Sequence, residues 1–410
     1  MNQLLLTNAN VVDIETGSVA SDRFIAIEDG SIKDIGDGRP SGTHAQTIDL
    51  RGRTVIPGLI DSHVHVTAYS PTFAELASSS PTYVGVQAAS IMSSMLQRGF
   101  TSVRDVGGAD FGLARAVEEG LIDGPRLFFG GKALSSTGGH GDMRGPGMSE
   151  KDASYGTPGL GVIVDGIDEV RRAAREEVRR GANHIKFMGG GGASSPTDRL
   201  DSDQFSEEEI AAIVQEARMA NIYAVVHAYT ARQIERSVRL GVRSIEHCNF
   251  IDEPTAKFLK SSDAFMVPTL IAYRAGSKFG IDAGMSQTTV DKLNVLLGSG
   301  LNSIEIAKRA GIQMAYGTDL VGHFMHKFQL QEFEIRSEVL KPLELLQSAT
   351  IVGARLINQD SNLGQIRPGF KADLIALSKN PIEHIGILQK PEDHLHLVVK
   401  GGRVFKNEVN

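Results

Sequence analysis

The stretch Val55-Ile56-Pro57-Gly58-Leu59-Ile60-Asp61-Ser62-His63-Val64-His65-Val66 decides the fold of this 410-residue chain. It is mostly apolar, and near its end two histidines are separated by one residue. A short apolar run of this kind predicts a buried strand of a parallel sheet. In a strand, residues two apart face the same side, so His63 and His65 can present two imidazoles to one metal ion.

Further short apolar runs follow along the chain, and helical patterns separate most of them. Strands that alternate with helices are typical of parallel βαβ units. Eight such units favour an α/β fold, a closed (β/α)8 TIM-type barrel, and an open doubly wound sheet is the alternative. The predicted strands are 55–66, 102–105, 126–130, 183–188, 223–227, 244–247, 265–269 and 313–319.

Both ends of the chain are rich in short strand patterns. Asp29-Gly30 lies between two alternating apolar runs and predicts a hairpin, and Lys400-Gly401-Gly402 predicts another turn. Each end alone is too small to form a core. We therefore expect one small β-sandwich domain formed by residues 1–56 and 359–410, beside a catalytic barrel of residues 57–358.

The composition excludes several classes of protein. With 42 Lys and Arg against 49 Asp and Glu, the formal net charge is −7, so we expect neither nucleic acid nor an anionic membrane as a partner. The single cysteine, Cys248, allows no intramolecular disulfide and no cysteine-based zinc site. The sequence has neither an apolar run of membrane-spanning length nor the pattern of a signal peptide, which predicts a cytoplasmic protein.

Further polar residues occur at the ends of later predicted strands. His227 ends the fifth strand, His247 the sixth and Asp319 the eighth. Because the active sites of barrel enzymes are built at the C-terminal ends of the strands, we expect these side chains to meet His63 and His65. Taken alone, His227 could be a core histidine and Asp319 a turn residue.

Lys186 lies inside the fourth predicted strand. Alternation places Ile185 and Phe187 on one face and Lys186 on the other, which faces the interior of a barrel. Burial of an unpaired lysine is costly, and it lowers the pKa of the amine so that the neutral form becomes accessible. A neutral amine can add carbon dioxide, and the resulting carbamate can bridge two cations.

Together these features resemble the amidohydrolase superfamily of metal-dependent hydrolases, over nearly the whole chain. Finer motifs are similar to those of the imidazolonepropionase-related Xaa-Pro dipeptidases (prolidases), Xaa-Arg/Lys carboxypeptidases and ochratoxin amidohydrolases. Lys186 favours these binuclear hydrolases, because imidazolonepropionase itself and the deaminases of the superfamily generally use one metal and lack this lysine. The matching segments are Pro57 to His65, Thr137-Gly138-Gly139-His140-Gly141-Asp142, Lys186, His227-Ala228-Tyr229-Thr230, His247, Val267-Pro268-Thr269-Leu270, Gly317-Thr318-Asp319 and Gly369-Phe370-Lys371-Ala372-Asp373-Leu374.

The resemblance implies a binuclear metal centre. Nitrogen and oxygen ligands suit zinc, although manganese or cobalt could substitute. Water shared by two cations is nucleophilic near neutral pH, and Asp319 could take its proton and pass it to the leaving amine. The implied ligands are His63, His65 and Asp319 for the more buried ion, His227 and His247 for the second, and Lys186, as N6-carboxylysine, for both.

The substrate is expected to contact three further residues. His140 follows the third strand in a loop of small residues, and the resemblance implies that it contacts the carboxylate or the reacting carbonyl. Tyr229 shares the strand face of His227 if the extended geometry continues, and the resemblance implies a hydrogen bond to the tetrahedral intermediate or the C-terminal group. Arg144 is a candidate partner for the substrate carboxylate, because guanidinium binds carboxylates in bidentate fashion; a surface loop arginine is the alternative.

The glycine-rich segments 107–112 and 189–192 lack the spacing of a nucleotide-phosphate loop. We expect them instead to let loops pass close to the metal centre and the substrate. The segment 69–83, rich in Ser and Pro, is expected to contribute to the pocket or to a lid.

The resemblance points to hydrolysis of the amide bond of a dipeptide or N-acyl amino acid with release of the C-terminal residue, and proline is favoured as that residue. The alternatives are an N-acyl-aromatic (ochratoxin-type) or Xaa-Arg/Lys substrate, or a cyclic amide of the imidazolone type. A non-catalytic binding module on the same scaffold is an alternative of another class. The resemblance also suggests a homo-oligomer.

Overall fold

The computed structural model describes residues 3–38, 46–144, 158–195 and 197–409. Its strands are β1 (Gln3–Val12), β2 (Val19–Glu28), β3 (Ser31–Asp37), β4 (Gln46–Asp49), β5 (Thr54–Pro57), β6 (Leu59–Val64), β7 (Phe100–Asp105), β8 (Arg126–Phe129), β9 (Ala133–Ser135), β10 (Gly161–Ile163), β11 (His184–Met188), β12 (Tyr223–Thr230), β13 (Ser244–Phe250), β14 (Phe265–Val267), β15 (Gln313–Met314), β16 (Leu374–Leu377), β17 (Leu395–Lys400) and β18 (Arg403–Asn407).

The helices surround the barrel strands or follow them. Short 3-10 helices lie at Met325–Phe328 and Ile385–Gln389. The α-helices are α1 (Phe73–Ser78), α2 (Pro81–Gln97), α3 (Phe111–Glu118), α4 (Ile167–Arg179), α5 (Glu207–Met219), α6 (Ala231–Arg239), α7 (Glu253–Ser261), α8 (Leu270–Phe279), α9 (Gln287–Ala310), α10 (Gln331–Arg336), α11 (Pro342–Ser348), α12 (Ile351–Leu356) and α13 (Pro391–His394). Within the described ranges, none of these helices combines the length and the apolar character that crossing a membrane requires.

The central parallel strands form a closed barrel in the order β6, β7, β8, β11, β12, β13, β14 and β15. Backbone hydrogen bonds close the two gaps between the separate sheets. Asn183 N donates to Phe129 O (2.8 Å) between β8 and β11, and Ser62 N donates to Tyr316 O (2.7 Å) between β6 and the segment after β15. The predicted (β/α)8 barrel is therefore confirmed, and the open doubly wound sheet is wrong.

The first predicted strand, 55–66, is in fact two strands. β5 belongs to the terminal sheet and β6 to the barrel, and the two are separated at Gly58. A Cβ at Gly58 would lie 2.2 Å from Thr101 Oγ1, so only glycine fits this crossing. The apolar run is continuous because both strands are buried, and hydrophobicity alone does not show the change of sheet.

Other differences lie at the ends of strands and in the loop after β8. β12 and β13 continue beyond their predicted ends, to Thr230 and Phe250, whereas β15 is only two residues long. The short strands β9 and β10 were not predicted; they pair with each other, and β9 also pairs with β11. The chain from β9 leads directly into the loop that contains His140.

The two ends of the chain build one mixed sheet in the order β18-β17-β16-β5-β1-β2-β3, with β4 beside β1. The ends meet at β5, which pairs with β1 on one side and with β16 on the other. Leu374 and Ala376 of β16 pack in the small core of this sheet, while Ile375 and Leu377 pack in the barrel core. The expected β-rich domain is present, with its strands hydrogen-bonded as one sheet, and the boundaries at 56/57 and 358/359 stay predictions.

The outer faces of the barrel strands pack against the helices. Ile185 and Phe187 of β11 share a hydrophobic core with Val170 of α4 and Ile213 of α5. Lys186, between them, is 2% exposed and lies on the interior side, as alternation predicts. The barrel interior therefore contains an ionisable side chain in the middle of β11.

Candidate active site

Three predicted ligands meet at the C-terminal end of the barrel. The Nε2 atoms of His63 and His65 each lie 3.3 Å from Asp319 Oδ1. The ligand atoms of these three residues all lie within 4.8 Å of one another. Two imidazoles and a carboxylate at these distances can hold one cation.

The remaining two predicted histidines lie beside this group. The ring centroid of His247 is 5.0 Å from that of His63 and 4.5 Å from that of His227. His227 and His247 are thus not part of the group formed by His63, His65 and Asp319, but they lie beside it, where a second cation could bind. The structure brings together all the histidines that the sequence analysis selected as ligands.

Lys186 is buried next to these groups. No hydrogen bond or ion pair joins its amine to any residue that the structure describes. Burial lowers the pKa of Lys186 to about 8, with Arg104 acting in the same direction and the carboxylates of Glu246 and Asp319 opposing it. A fraction of the amine is therefore neutral near physiological pH, the state that carbamate formation needs.

Three of the four imidazoles donate to oxygen atoms that can only accept. Because carbonyl and carboxylate oxygens have no hydrogen to give, each bond assigns the tautomer of its histidine. In the neutral ring the other nitrogen is then unprotonated and can bind a metal ion, an arrangement common around metal sites. The bonds are His63 Nδ1 to Glu246 Oε2 (2.6 Å), His65 Nδ1 to Gly107 O (2.8 Å) and His227 Nε2 to Gly191 O (3.2 Å).

The tautomer of His247 follows from a longer chain of hydrogen bonds. Asn249 Nδ2 donates to Leu296 O (2.9 Å), which leaves Asn249 Oδ1 facing the hydroxyl of Tyr273 (3.1 Å). The Tyr273 hydroxyl donates to that amide oxygen, so its own oxygen accepts from His247 Nδ1 (3.0 Å). His247 Nε2 is therefore the unprotonated nitrogen.

The backbone is left-handed at two of the predicted ligands, His247 (φ 75°) and Asp319 (φ 53°). Non-glycine residues adopt this conformation at a cost of about 1–3 kcal/mol and often at functional sites. At His247 the conformation breaks the alternation of β13. The adjacent side chains of Glu246 and His247 therefore both reach the site.

Glu246 and Arg104 form a fully buried ion pair behind His63. Arg104 Nη2 donates to Glu246 Oε1 (2.9 Å), and Arg104 Nε donates to Ser62 O (2.6 Å). Burial alone would raise the pKa of Glu246, but the charge of Arg104 and the hydrogen bond from His63 hold it well below its usual value. Glu246 is thus a permanent anion that fixes the orientation of His63.

The sequence analysis missed Glu246 and Arg104. Both occupy inward positions of predicted strands, as Lys186 does, so the same alternation argument could have located them. Their pairing across the barrel, from β7 to β13, has no signal in the sequence of either strand.

We expect Glu246→Gln to weaken metal binding by about 10- to 100-fold, the usual effect of losing the partner of a ligating histidine. The amide keeps the shape but loses the charge, and it leaves Arg104 buried without its counter-ion. Zinc affinity of the apoprotein is measured by competition with a chromophoric chelator. Glu207→Gln is the control, because its carboxylate pairs with Arg239 at the exposed surface. Wild-type affinity in Glu246→Gln would show that this pair does not support the site.

The donor set fits divalent cations. The imidazoles offer unprotonated nitrogens, Asp319 offers a carboxylate, and Lys186 offers a partly neutral amine. Donors of nitrogen and oxygen suit zinc, manganese or cobalt. Each imidazole is also fixed through its other nitrogen, as metal-ligating histidines usually are.

A cavity of about 520 Å³ opens on this centre. Pockets of roughly 300–1,000 Å³ are typical for small-molecule ligands. Much of its wall is apolar, with residues from several loops and helices: Phe73, Leu160, Ile163, Met188, Met285 and Leu293. The predicted site residues in the wall are His65, His227, Asp319, His140, Tyr229 and Arg144.

His140 lies against the predicted ligand His227, with ring centroids 4.4 Å apart. Its Nδ1 lies 3.1 Å from Ser195 Oγ, whose hydroxyl donates to Asp198. Ser195 Oγ therefore accepts from His140 Nδ1, which leaves Nε2 for a substrate atom. A Cβ on Gly192 would lie 1.9 Å from the His140 ring, so this glycine allows the close passage expected of segment 189–192.

Tyr229 shares the strand face of His227, because β12 stays extended to Thr230 and the ring centroids are 4.6 Å apart. Burial raises the pKa of Tyr229 well above its usual value, so the phenol keeps its proton and can donate a hydrogen bond. Arg144 Nε and Nη2 donate to the carboxylate of Asp142 (2.8 and 2.7 Å). A substrate carboxylate would have to share this guanidinium with Asp142.

This chain is similar over most of its length to a known protein family and to several known proteins. Residues 54–404 match the sequence profile described as Amidohydrolase family. Ochratoxinase from Aspergillus niger is 34% identical over 367 residues, which cover 86% of this chain and 75% of that protein. A prolidase crystallised with N-methylphosphonate-L-proline is 44% identical, with a TM-score of 0.95 over 99% of this chain and 100% of that one. A Xaa-Pro dipeptidase with bound methionine is 30% identical, with a TM-score of 0.89 over 99% and 100% of the two chains.

Proposed function

This chain belongs to the amidohydrolase family, and on that premise we propose that it is a binuclear metal-dependent hydrolase of dipeptides or N-acyl amino acids, with Xaa-Pro substrates favoured. The observation behind the proposal is that the cluster of candidate metal ligands lies at the wall of a largely apolar cavity of about 520 Å³. Such a cavity suits a small molecule with one polar reacting centre. The product would be the free C-terminal amino acid.

The proposal distributes the candidate metal ligands over two sites. Divalent cations, with zinc favoured, would supply a nucleophile near neutral pH and polarise the scissile carbonyl. Lys186 would act as N6-carboxylysine, because its lowered pKa makes the neutral amine accessible. The assignments are His63, His65 and Asp319 for the first ion, His227 and His247 for the second, and carboxylated Lys186 between them.

Asp319 is the proposed proton carrier. Burial opposes its ionisation, but the imidazoles of His63 and His65, whose Nε2 atoms face the carboxylate, keep the pKa of Asp319 well below its usual value. An ionised carboxylate in the cavity wall can accept a proton from the nucleophile and return it to the leaving nitrogen. Tyr229 and His140 would hold the substrate, since each presents a group to the cavity that can make a hydrogen bond.

The electrostatics of the wall favour an uncharged side chain in the substrate. Among the described lining residues, the acidic side chains are Asp142, which pairs with Arg144, and Asp319, the proposed ligand. A lysine or arginine side chain of a substrate would find no unpaired carboxylate on this part of the wall, and burying it unpaired is unfavourable. This observation favours proline or another apolar residue over an Xaa-Arg/Lys substrate.

An N-acyl-aromatic substrate is the second candidate. Phe73, Met285 and Leu293 contribute apolar surface to the wall, against which an aromatic ring can pack. A relative that is 34% identical is the ochratoxinase of Aspergillus niger. The same ligands and the same bond type would serve this reaction.

A substrate panel tests the proposal. Zinc-loaded and chelator-treated protein is assayed with Leu-Pro, N-benzoyl-Phe, Leu-Lys and a lactam. We expect metal-dependent hydrolysis of Leu-Pro with kcat/KM at least about 100-fold above Leu-Lys, since burying an unpaired ammonium costs several kcal/mol. Faster cleavage of N-benzoyl-Phe would favour the second candidate. Ring opening of the lactam without dipeptide turnover, or no turnover at all, would contradict the proposal.

A further inference from the structure

The ammonium of Lys292, on α9, binds the backbone of one loop. Its Nζ donates to Gly192 O (3.0 Å), Ser195 O (3.2 Å) and Asp198 O (2.8 Å), and it lies 3.5 Å from Asp198 Oδ1. The side chain is only 16% exposed. Because an ammonium has three hydrogens to donate, this geometry uses all of them on the loop. Lys292 thus joins the loop to α9.

Asp198 connects this contact to His140. Its carboxylate accepts from Gly192 N (2.9 Å), from Gln204 Nε2 (3.1 Å) and from the hydroxyl of Ser195. Ser195 Oγ accepts from His140 Nδ1 (3.1 Å), and Gln204 Oε1 accepts from His140 N (3.0 Å). The ring and the backbone of His140 therefore both depend on the position of Asp198.

The same loop also fixes His227. Gly191 O accepts the hydrogen of His227 Nε2, which leaves Nδ1 of that ring unprotonated. The loop is tightly packed, since a Cβ on Gly191 would lie 1.8 Å from Arg199 O. A shift of this backbone would therefore move a partner of His227 together with the partners of His140.

We propose that Lys292 is a positioning residue, which holds residues 191–195 and 198 against α9 and thereby sets the places of His140 and His227 in the cavity. α9 also supplies Leu293 to the cavity wall, so one helix both shapes the pocket and fixes the residue expected to contact the substrate. The expected effect of losing Lys292 on the catalytic rate rests on the proposed function, whereas its expected effect on the order of the loop does not. A misplacement of about 1 Å can lower a catalytic rate by up to about 100-fold.

The expected loosening of the loop is tested on the metal-loaded protein by hydrogen exchange of the backbone amides of residues 189–195 and 197–204. Lys292→Met keeps most of the length of the side chain but removes its charge and its donors, and we expect loop amides to exchange about 10-fold faster. Lys308→Met is the control, because Lys308 lies on the same helix and donates to Val339 O (2.8 Å), away from the loop. Unchanged exchange in a folded Lys292→Met would overturn the proposal. Lys292→Gln, whose amide keeps two N–H donors but no charge, replaces the methionine variant if the latter does not fold.

The kinetic consequence is tested by a double-mutant cycle with His140→Ala. We expect Lys292→Met to lower kcat/KM by about 10- to 100-fold in the wild-type background and to lose most of that effect beside His140→Ala. Lys292→Arg should restore part of the rate, since it keeps the charge and several donors. Full additivity of the two substitutions would contradict an action through His140. If no substrate is hydrolysed at all, the proposed function fails, while the exchange experiment still decides the role of Lys292.

Discussion

Lys186→Ala is expected to lose binuclear metal occupancy and to lower kcat by more than about 100-fold, because losing a ligand should cost more than the roughly 10- to 100-fold effect of losing the partner of a ligand. The reason is that Lys186 is buried beside both histidine groups, and its lowered pKa makes the neutral amine available to form a bridging carbamate. Metal per chain is measured by elemental mass spectrometry, and kcat with the best dipeptide substrate. Short carboxylates such as acetate should restore part of the activity, because they can occupy the space of the missing carbamate.

Lys400→Ala is the matched control. Burial also lowers the pKa of Lys400 to about 8, but this lysine lies in β17 of the terminal sheet. We expect its alanine variant to retain metal and to show no response to carboxylates. If Lys186→Ala keeps two metals and full activity without added carboxylate, the carbamate bridge is wrong.

Asp319→Asn is expected to lower kcat by about 10²–10⁴-fold, the usual contribution of a general acid–base group. The amide cannot take up a proton from the nucleophile, and it removes the negative charge between His63 and His65, whose Nε2 atoms lie 3.3 Å from the carboxylate. Both kcat and metal content are measured. Asp37→Asn is the control, since its carboxylate is 83% exposed in β3.

The two measurements separate the roles of Asp319. Loss of kcat with metal retained indicates proton transfer, whereas loss of metal indicates a ligand whose removal dismantles the centre. An Asp319→Asn variant with the wild-type rate would contradict both roles.

The barrel and the grouping of the predicted ligands could be predicted because their signals are local. Alternation along a strand put His63 beside His65 and Lys186 inside the barrel, and the rule for strand ends put His227 and Asp319 at the same edge. The structure brings these side chains together. In a parallel barrel, the place of each of these side chains in the site depends mainly on where the residue lies within its own strand.

The remaining features depend on contacts between distant segments. Lys292 lies on a helix about 100 residues beyond the loop that it binds, and nothing in the helical pattern distinguishes it from a solvated lysine. Glu246 and Arg104 pair across the barrel interior, and the left-handed backbone at His247 breaks the alternation of β13. The split of residues 55–66 was missed because the steric conflict arises with Thr101, a residue outside the stretch.

The pairing of β5 with β16 joins the strand just before β6 to a segment that is synthesised much later. Val55 and Ala376 are partners although roughly 320 residues separate them. Contacts between residues so far apart in the sequence form late and slow the folding of a chain. During synthesis, the edge of β5 that pairs with β16 must therefore stay unpaired until residues 374–377 have left the ribosome. Assembly of the proposed metal centre is thus coupled to synthesis of β16, and a product truncated before β16 would leave that edge open to aggregation.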